Sequence, residues 1–125
     1  MGHPGLRVLL VEDEFLQADD LSSALTDQGA RVVGPASSII EALDLLDADD
    51  RVDAAVIDIN LHGDTSMALA YRLMTDNIPF VFLTGYDRSW LTSAFAGIEV
   101  WPKPFEFPTL RAWLEKRMDQ AEPAS

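Results

Sequence analysis

The sequence predicts an α/β fold, a five-stranded parallel sheet in the order 2-1-3-4-5 with helices on both faces. Short apolar runs alternate with segments of helical period in five rounds, a pattern that calls for parallel strands joined by right-handed crossovers. The runs are short and apolar enough to be strands buried on both faces. Four of them end in side chains that carry chemistry. Residues 8–11 run into Glu12-Asp13-Glu14, residues 54–57 into Asp58, residues 80–83 into Thr84-Gly85, and residues 98–101 into Pro102-Lys103-Pro104-Phe105. The strand order is taken by analogy with one of the two common doubly wound arrangements, and it sets strands one and three side by side at the switch point. Glu12 and Asp13 then lie next to Asp58, at the carboxyl edge where open α/β sheets bind ligands.

Each element has its own local reason. Residues 6–11 form the first strand. Residues 14–28 read as a helix with Ala18, Leu21 and Leu25 on one stripe and Gly29 placed to stop it. Residues 31–34 make a short second strand. Ser38-Ile39-Ile40-Glu41 fits a capping box and opens a helix with Ile39, Ala42, Leu43 and Leu46 inward, leaving through the acidic run Asp47-Ala48-Asp49-Asp50. After the Asp58 strand, Asp64 or Thr65 caps a third helix with Met67, Ala70, Tyr71 and Met74 at helical spacing. Pro79 opens the fourth strand, where a missing N–H is tolerated. Residues 87–95 read as a short helix, and residues 105–118 as a last one with Pro108 in its first turn. Residues 119–125 are polar and read as a frayed tail.

With 125 residues and 48% apolar side chains, the chain fits one ordinary folded domain. It has no apolar run long enough to span a bilayer and no signal-peptide h-region near the N-terminus. Cysteine is absent, which excludes disulfides and thiolate metal sites and suits the cytoplasm. Twenty-one acids against nine bases give a net charge of −12, a surface that repels nucleic acid and anionic lipid. The nearest thing to a basic cluster is Arg111, Lys116 and Arg117.

Carboxylates gathered at one sheet edge repel one another and destabilise the fold unless a cation or a proton intervenes. Hard oxygen donors suit Mg²⁺, and neither Cys nor a suitable His pair is present for zinc. An Asp beside Mg²⁺, with a hydroxyl at Thr84 and an ammonium at Lys103, supplies what phosphoryl transfer requires: a nucleophile, charge neutralisation and donors for the transferred oxygens. Taken singly, each residue has a plainer reading. Glu14, Asp64 and Asp87 read as solvated caps, Thr84 as a turn residue, Lys103 as a surface amine, His3 as tail and His62 as loop.

Leu9-Leu10-Val11-Glu12-Asp13-Glu14, Asp58-Ile59-Asn60-Leu61 with Gly63, Phe82-Leu83-Thr84-Gly85 and Lys103-Pro104-Phe105, in this order and spacing, resemble the receiver domain of two-component response regulators. The resemblance covers residues 5–118, leaves 119–125 as a tail, and leaves no output domain. It implies the flavodoxin-like receiver fold, with Asp58 as phosphoacceptor. It also implies that Asp13 binds Mg²⁺ directly, Glu12 through water and Asn60 through its backbone carbonyl. Thr84 would receive the phosphoryl group, Lys103 would pair with its oxygens, and Lys103-Pro104 would be cis. Two positions depart from the usual pattern. Val100 stands where an aromatic is common, with Trp101 beside it, and Gly85-Tyr86 follows the threonine. Residues 79–86 resemble the FAT GUY subgroup, with Leu83 in place of its alanine, and that subgroup is associated with HWE-type sensor kinases. The switch is accordingly expected at Thr84, Gly85 and Tyr86 rather than at Val100 and Trp101, since alternation sends Trp101 to the opposite face from Val100.

The expected function is that of a stand-alone cytoplasmic receiver, neither inserted in a membrane nor bound to nucleic acid. It would catalyse its own phosphorylation and dephosphorylation with Mg²⁺, taking the phosphoryl group from a sensor histidine kinase or a phosphotransfer protein. It would then signal to a downstream protein by contact, or drain phosphate from a kinase. The competing classes are a Mg²⁺-dependent phosphatase or Toprim-like enzyme and a binding module that is never phosphorylated. A haloacid dehalogenase-type site wants Asp-x-Asp where this chain has Asp58-Ile59-Asn60, and the charge of −12 opposes a Toprim nuclease. The complete acid, Thr and Lys set argues against an inert module.

Overall fold

The computed structural model describes residues 5–48, 51–58, 65–84, 99–102 and 107–121. Its elements run β1 (Arg7–Val11), α1 (Phe15–Asp27), β2 (Arg31–Ala36), α2 (Ile39–Ala48), β3 (Ala54–Asp58), α3 (Thr65–Thr75), β4 (Phe80–Thr84), β5 (Glu99–Pro102) and α4 (Phe107–Ala121). The five strands pair in parallel in the order β2-β1-β3-β4-β5, as the sequence predicts. The short helix expected over residues 87–95 lies outside the described residues.

Alternation along the strands divides the core into two layers. Leu9, Val11, Ala55, Ile57 and Phe82 face one side, where they pack with Ile39, Ala42 and Leu46 of α2 and Leu69, Ala70 and Leu73 of α3. Val8, Leu10, Ala54, Val56, Val81, Leu83 and Trp101 face the other, against Leu21 and Leu25 of α1 and Leu110, Trp113 and Leu114 of α4. Both faces are covered, which is why these strands read as unbroken apolar runs. Each large side chain removed from water contributes roughly 1.5–3 kcal/mol. Among the described residues no helix is long and apolar enough to cross a membrane.

The helices follow the sequence with instructive differences. In α1, Ala18, Leu21 and Leu25 are buried, and the helix ends before Gly29, whose φ of 89° is a left-handed conformation suited to glycine. In α2 the capping box forms by half. The Glu41 N–H donates to Ser38 Oγ at 3.1 Å, whereas Glu41 Oε1 accepts from the N–H and hydroxyl of Ser37 rather than from the Ser38 N–H. In α3 the buried face is Leu69, Ala70 and Leu73, with Met67 half-buried, while Tyr71 and Met74 are 55% and 42% exposed. The face is therefore turned from the expected Met67, Ala70, Tyr71 and Met74 stripe, because Leu69 and Leu73 form a competing i,i+4 pair of better-packing residues. The last helix begins at Phe107 rather than 105 and continues to Ala121, through the first part of the expected tail.

Candidate functional site

The site is built from the carboxyl ends of adjacent strands. β2 contains an extra residue: Leu9 pairs with Val33, but Val11 pairs with Ala36. Gly34 makes this bulge possible. Its φ is 104°, and a Cβ there would come within 2.6 Å of the Ala36 nitrogen and 3.1 Å of the Leu10 carbonyl oxygen. Pairing then resumes, β2 reaches Ala36 instead of stopping at Gly34, and the Glu12 N–H donates to the Ala36 carbonyl at 2.9 Å. The end of β1 is thus held from one side by the bulged strand and from the other by β3.

Val11 pairs with Ile57, so the next residues, Glu12 and Asp58, lie side by side at the strand ends and share the parity of Leu10 and Val56. Glu12 is 2% exposed and Asp58 is 1% exposed, and they are the buried charged residues among those described. The Glu14 N–H donates to Glu12 Oε2 at 3.1 Å. Two ionised carboxylates set side by side and shielded from water cost free energy unless a cation or proton offsets them. Their oxygens are the hard donors that Mg²⁺ prefers.

Asp13 follows Glu12 in the connection between β1 and α1 and is exposed, and among the described residues no three acidic or histidine side chains converge as a metal-binding group. Glu14, the N-cap of α1, makes no side-chain cap bond and instead accepts from Gln17 Nε2, which fits its reading as a solvated cap.

The remaining positions are fixed by register. Asp58 pairs with Leu83, so Thr84 follows by one residue on the neighbouring strand, and Thr84 pairs with Pro102, the residue before Lys103. Asn60, Gly85, Tyr86 and Lys103, together with the expected cis bond at Lys103-Pro104 and the caps Asp64 and Asp87, lie outside the described residues. Val100 and Trp101 fall on opposite faces as alternation requires. Val100 is half-buried against the α2–α3 layer. Trp101 is buried in the α1–α4 layer, donating from Nε1 to Glu99 Oε2 at 3.2 Å and meeting Trp113 edge-on at 6.0 Å.

Two features were not assigned a role from sequence. One is the Gly34 bulge, whose only signal was a Gly-Pro pair after a β-branched run. The other is the first turn of α1, where Phe15 and Leu16 are 80% and 73% exposed directly after the acidic pair. Their signal was position, since both fall off the Ala18, Leu21 and Leu25 stripe.

The family model of the response regulator receiver domain matches residues 8–115. The chain belongs to this family. Among curated relatives, the receiver is 31% identical over 116 residues to the sensory transduction protein LytT of Bacillus subtilis, an alignment covering 89% of this chain and 47% of LytT. It is 32% identical over 87 residues to the phyllosphere-induced regulator PhyR of Methylorubrum extorquens, covering 68% of this chain and 33% of PhyR. The receiver therefore spans about half or less of the length of these relatives. Among solved structures, that of SdrG from Sphingomonas melonis superposes with a TM-score of 0.76 at 31% identity, covering 94% of this chain and 98% of SdrG.

Proposed function

We propose that this receiver accepts a phosphoryl group on Asp58 from the phosphohistidine of a histidine kinase or a phosphotransfer protein. The observation that carries the reading is the burial of the Asp58 carboxylate beside that of Glu12, at the ends of adjacent parallel strands. In the transfer, an Asp58 oxygen attacks phosphorus, the bond from phosphorus to the imidazole nitrogen breaks, and the electron pair leaves with the imidazole. Mg²⁺, when bound, supplies the positive charge that lets a phosphoryl dianion approach a carboxylate. Glu12, Asp13, Asp58 and the Asn60 carbonyl are the residues to hold it. The exposed place of Asp13 at the rim suits direct contact with a hydrated ion, while buried Glu12 suits a water-mediated role.

Thr84 and Lys103 are assigned to the phosphoryl oxygens, a reading supported by the β3–β4–β5 register. The switch is assigned to Thr84, Gly85 and Tyr86, because Val100 is small and Trp101 is already committed to the opposite layer. The resemblance of residues 79–86 to the FAT GUY subgroup supports an HWE-type kinase in the cytoplasm as the donor. The exposed Phe15 and Leu16 beside the acidic rim support docking of a protein donor there. A downstream protein then reads the phosphorylated state by contact.

The test is incubation of the purified chain with acetyl phosphate and Mg²⁺, followed by intact-protein mass spectrometry. Wild type gains one phosphoryl group and Asp58→Asn gains none. Labelling of Asp58→Asn at the wild-type rate refutes the assignment, and absence of labelling in wild type favours the module that is never phosphorylated.

A further inference from the structure

The side chains of the acidic edge come from β1 and β3, yet the bulge in the neighbouring edge strand decides how the end of β1 is held. β2 enters with Leu9 opposite Val33, and an unbulged continuation would set Pro35 opposite Val11. Proline has no N–H, so that register would leave the ladder without a donor beside the acids. The bulge passes over Pro35 and sets Ala36 opposite Val11 instead. Ala36 is fully buried, and its carbonyl accepts the Glu12 N–H at 2.9 Å. Val33 and Ala36 both face the α2–α3 layer, so the extra residue is absorbed without turning the strand over. Gly34 is what permits this. Its φ of 104° is one that L side chains rarely adopt, and the atoms a Cβ would strike, the Ala36 nitrogen at 2.6 Å and the Leu10 carbonyl oxygen at 3.1 Å, are backbone that cannot swing aside.

We infer that Gly34 is a positioning residue for the cation site: by setting the Ala36 carbonyl against the end of β1, it aims the Glu12 carboxylate beside Asp58 and so sets the affinity of the edge for Mg²⁺. The inference rests on the reading of Asp58 as a Mg²⁺-assisted phosphoacceptor and extends that site to β2. β1 ends at Val11, and the bond from Glu12 to Ala36 carries strand geometry one residue further. It keeps the Glu12 side chain on the parity of Leu10, where it is 2% exposed and accepts the Glu14 N–H at 3.1 Å. A carboxylate held in place before the ion arrives loses less freedom on binding. Removing the groups that orient a metal ligand costs roughly 10–100-fold in metal affinity. The strand also contains its own control. With Pro35 deleted, Val33, Gly34 and Ala36 face Leu9, Leu10 and Val11 in plain alternation. Ala36 then still meets Glu12, and residue 34 takes ordinary extended backbone that accepts alanine.

The test compares the full chain as wild type, as Gly34→Ala, with Pro35 deleted, and with both changes. Mg²⁺ affinity is measured by calorimetry, and amide hydrogen exchange by NMR on ¹⁵N-labelled protein. Gly34→Ala should bind Mg²⁺ about tenfold or more weakly and lose protection at the Glu12 amide, while amides of β3 and β4 keep theirs. General destabilisation would lower them all. Both proteins lacking Pro35 should bind within about twofold of wild type, with the Glu12 amide protected, so that the deletion rescues the alanine. The inference is overturned if Gly34→Ala binds Mg²⁺ as tightly as wild type or keeps the Glu12 amide protected. Should Gly34→Ala alone fail to fold, the two deleted proteins decide: wild-type affinity in both supports the inference, and loss of affinity or of the fold in either overturns it. A wild type that neither binds Mg²⁺ nor is labelled by acetyl phosphate refutes the reading of Asp58 itself, whereas a labelled, Mg²⁺-binding wild type matched by Gly34→Ala refutes the positioning role alone.

Discussion

Glu12 and Asp58 show how much a residue's meaning depends on where its strand stops. Each follows an apolar run, and each becomes buried because parallel pairing continues to the last residue on both sides. Two buried carboxylates at neighbouring strand ends repel one another when both are ionised. Asp58→Asn keeps the shape and removes one charge. Its thermal midpoint without Mg²⁺ is therefore expected at or above that of wild type, a gain on the order of 1 kcal/mol, and a clear drop would mean that another group already neutralises Asp58. The proposed role of Asp58 was legible in the sequence, because the motif order and spacing single it out. The exposure of Asp13 was not, because no spacing rule fixes where the turn after β1 begins.

The elements were legible wherever periodicity was unambiguous. α1 buries the stripe that its sequence predicts and α2 buries Ile39, Ala42 and Leu46 of its own with Leu43 half-buried, whereas α3 contains overlapping stripes and packs on Leu69 and Leu73 instead of Tyr71 and Met74. The difference is measurable by urea unfolding. Leu73→Ala should cost about 2–5 kcal/mol as a core truncation, and Met74→Ala under about 1 kcal/mol. Equal losses would restore the other face. At the start of α2, the Ser37 N–H and hydroxyl bonds hold the Glu41 carboxyl below its ordinary value of 4.5. A carboxyl whose folded pKa is depressed contributes stability that is present above the unfolded pKa and is lost as pH falls through the folded one. The stability gap between wild type and Glu41→Gln should thus be full at neutral pH and close as the solution is acidified below about 4.5; a gap that is constant across that range would show that Glu41 holds α2 by shape alone. β2 ran longer than its sequence suggested because Gly34 permits a bulge, a tertiary device that a Gly-Pro pair, read locally, presents as a strand end.

At the scale of the whole molecule, two apolar layers hold a sheet whose carboxyl edge concentrates negative charge on a chain already at −12. A cation that binds the native edge and not the unfolded chain stabilises the fold by mass action, roughly 2.7 kcal/mol at a hundredfold excess over Kd. Mg²⁺ should therefore raise the thermal midpoint of wild type, and Asp13→Ala should lose most of that rise although its side chain is exposed and its fold unaltered; equal rises in both proteins would place the metal elsewhere. The strand order came by analogy with a common doubly wound arrangement, and the candidate site was read from four strand ends in sequence. The exposure of Phe15 and Leu16 in the first turn of α1 was not singled out, because it depends on how that helix packs on the sheet. The most direct test of the central claim is fragment-level mass spectrometry of the protein after reaction with acetyl phosphate and Mg²⁺. The phosphoryl group should map to the fragment containing Asp58 and depend on Mg²⁺; mapping to Glu12, Asp13 or another residue, or equal labelling without the metal, would contradict it.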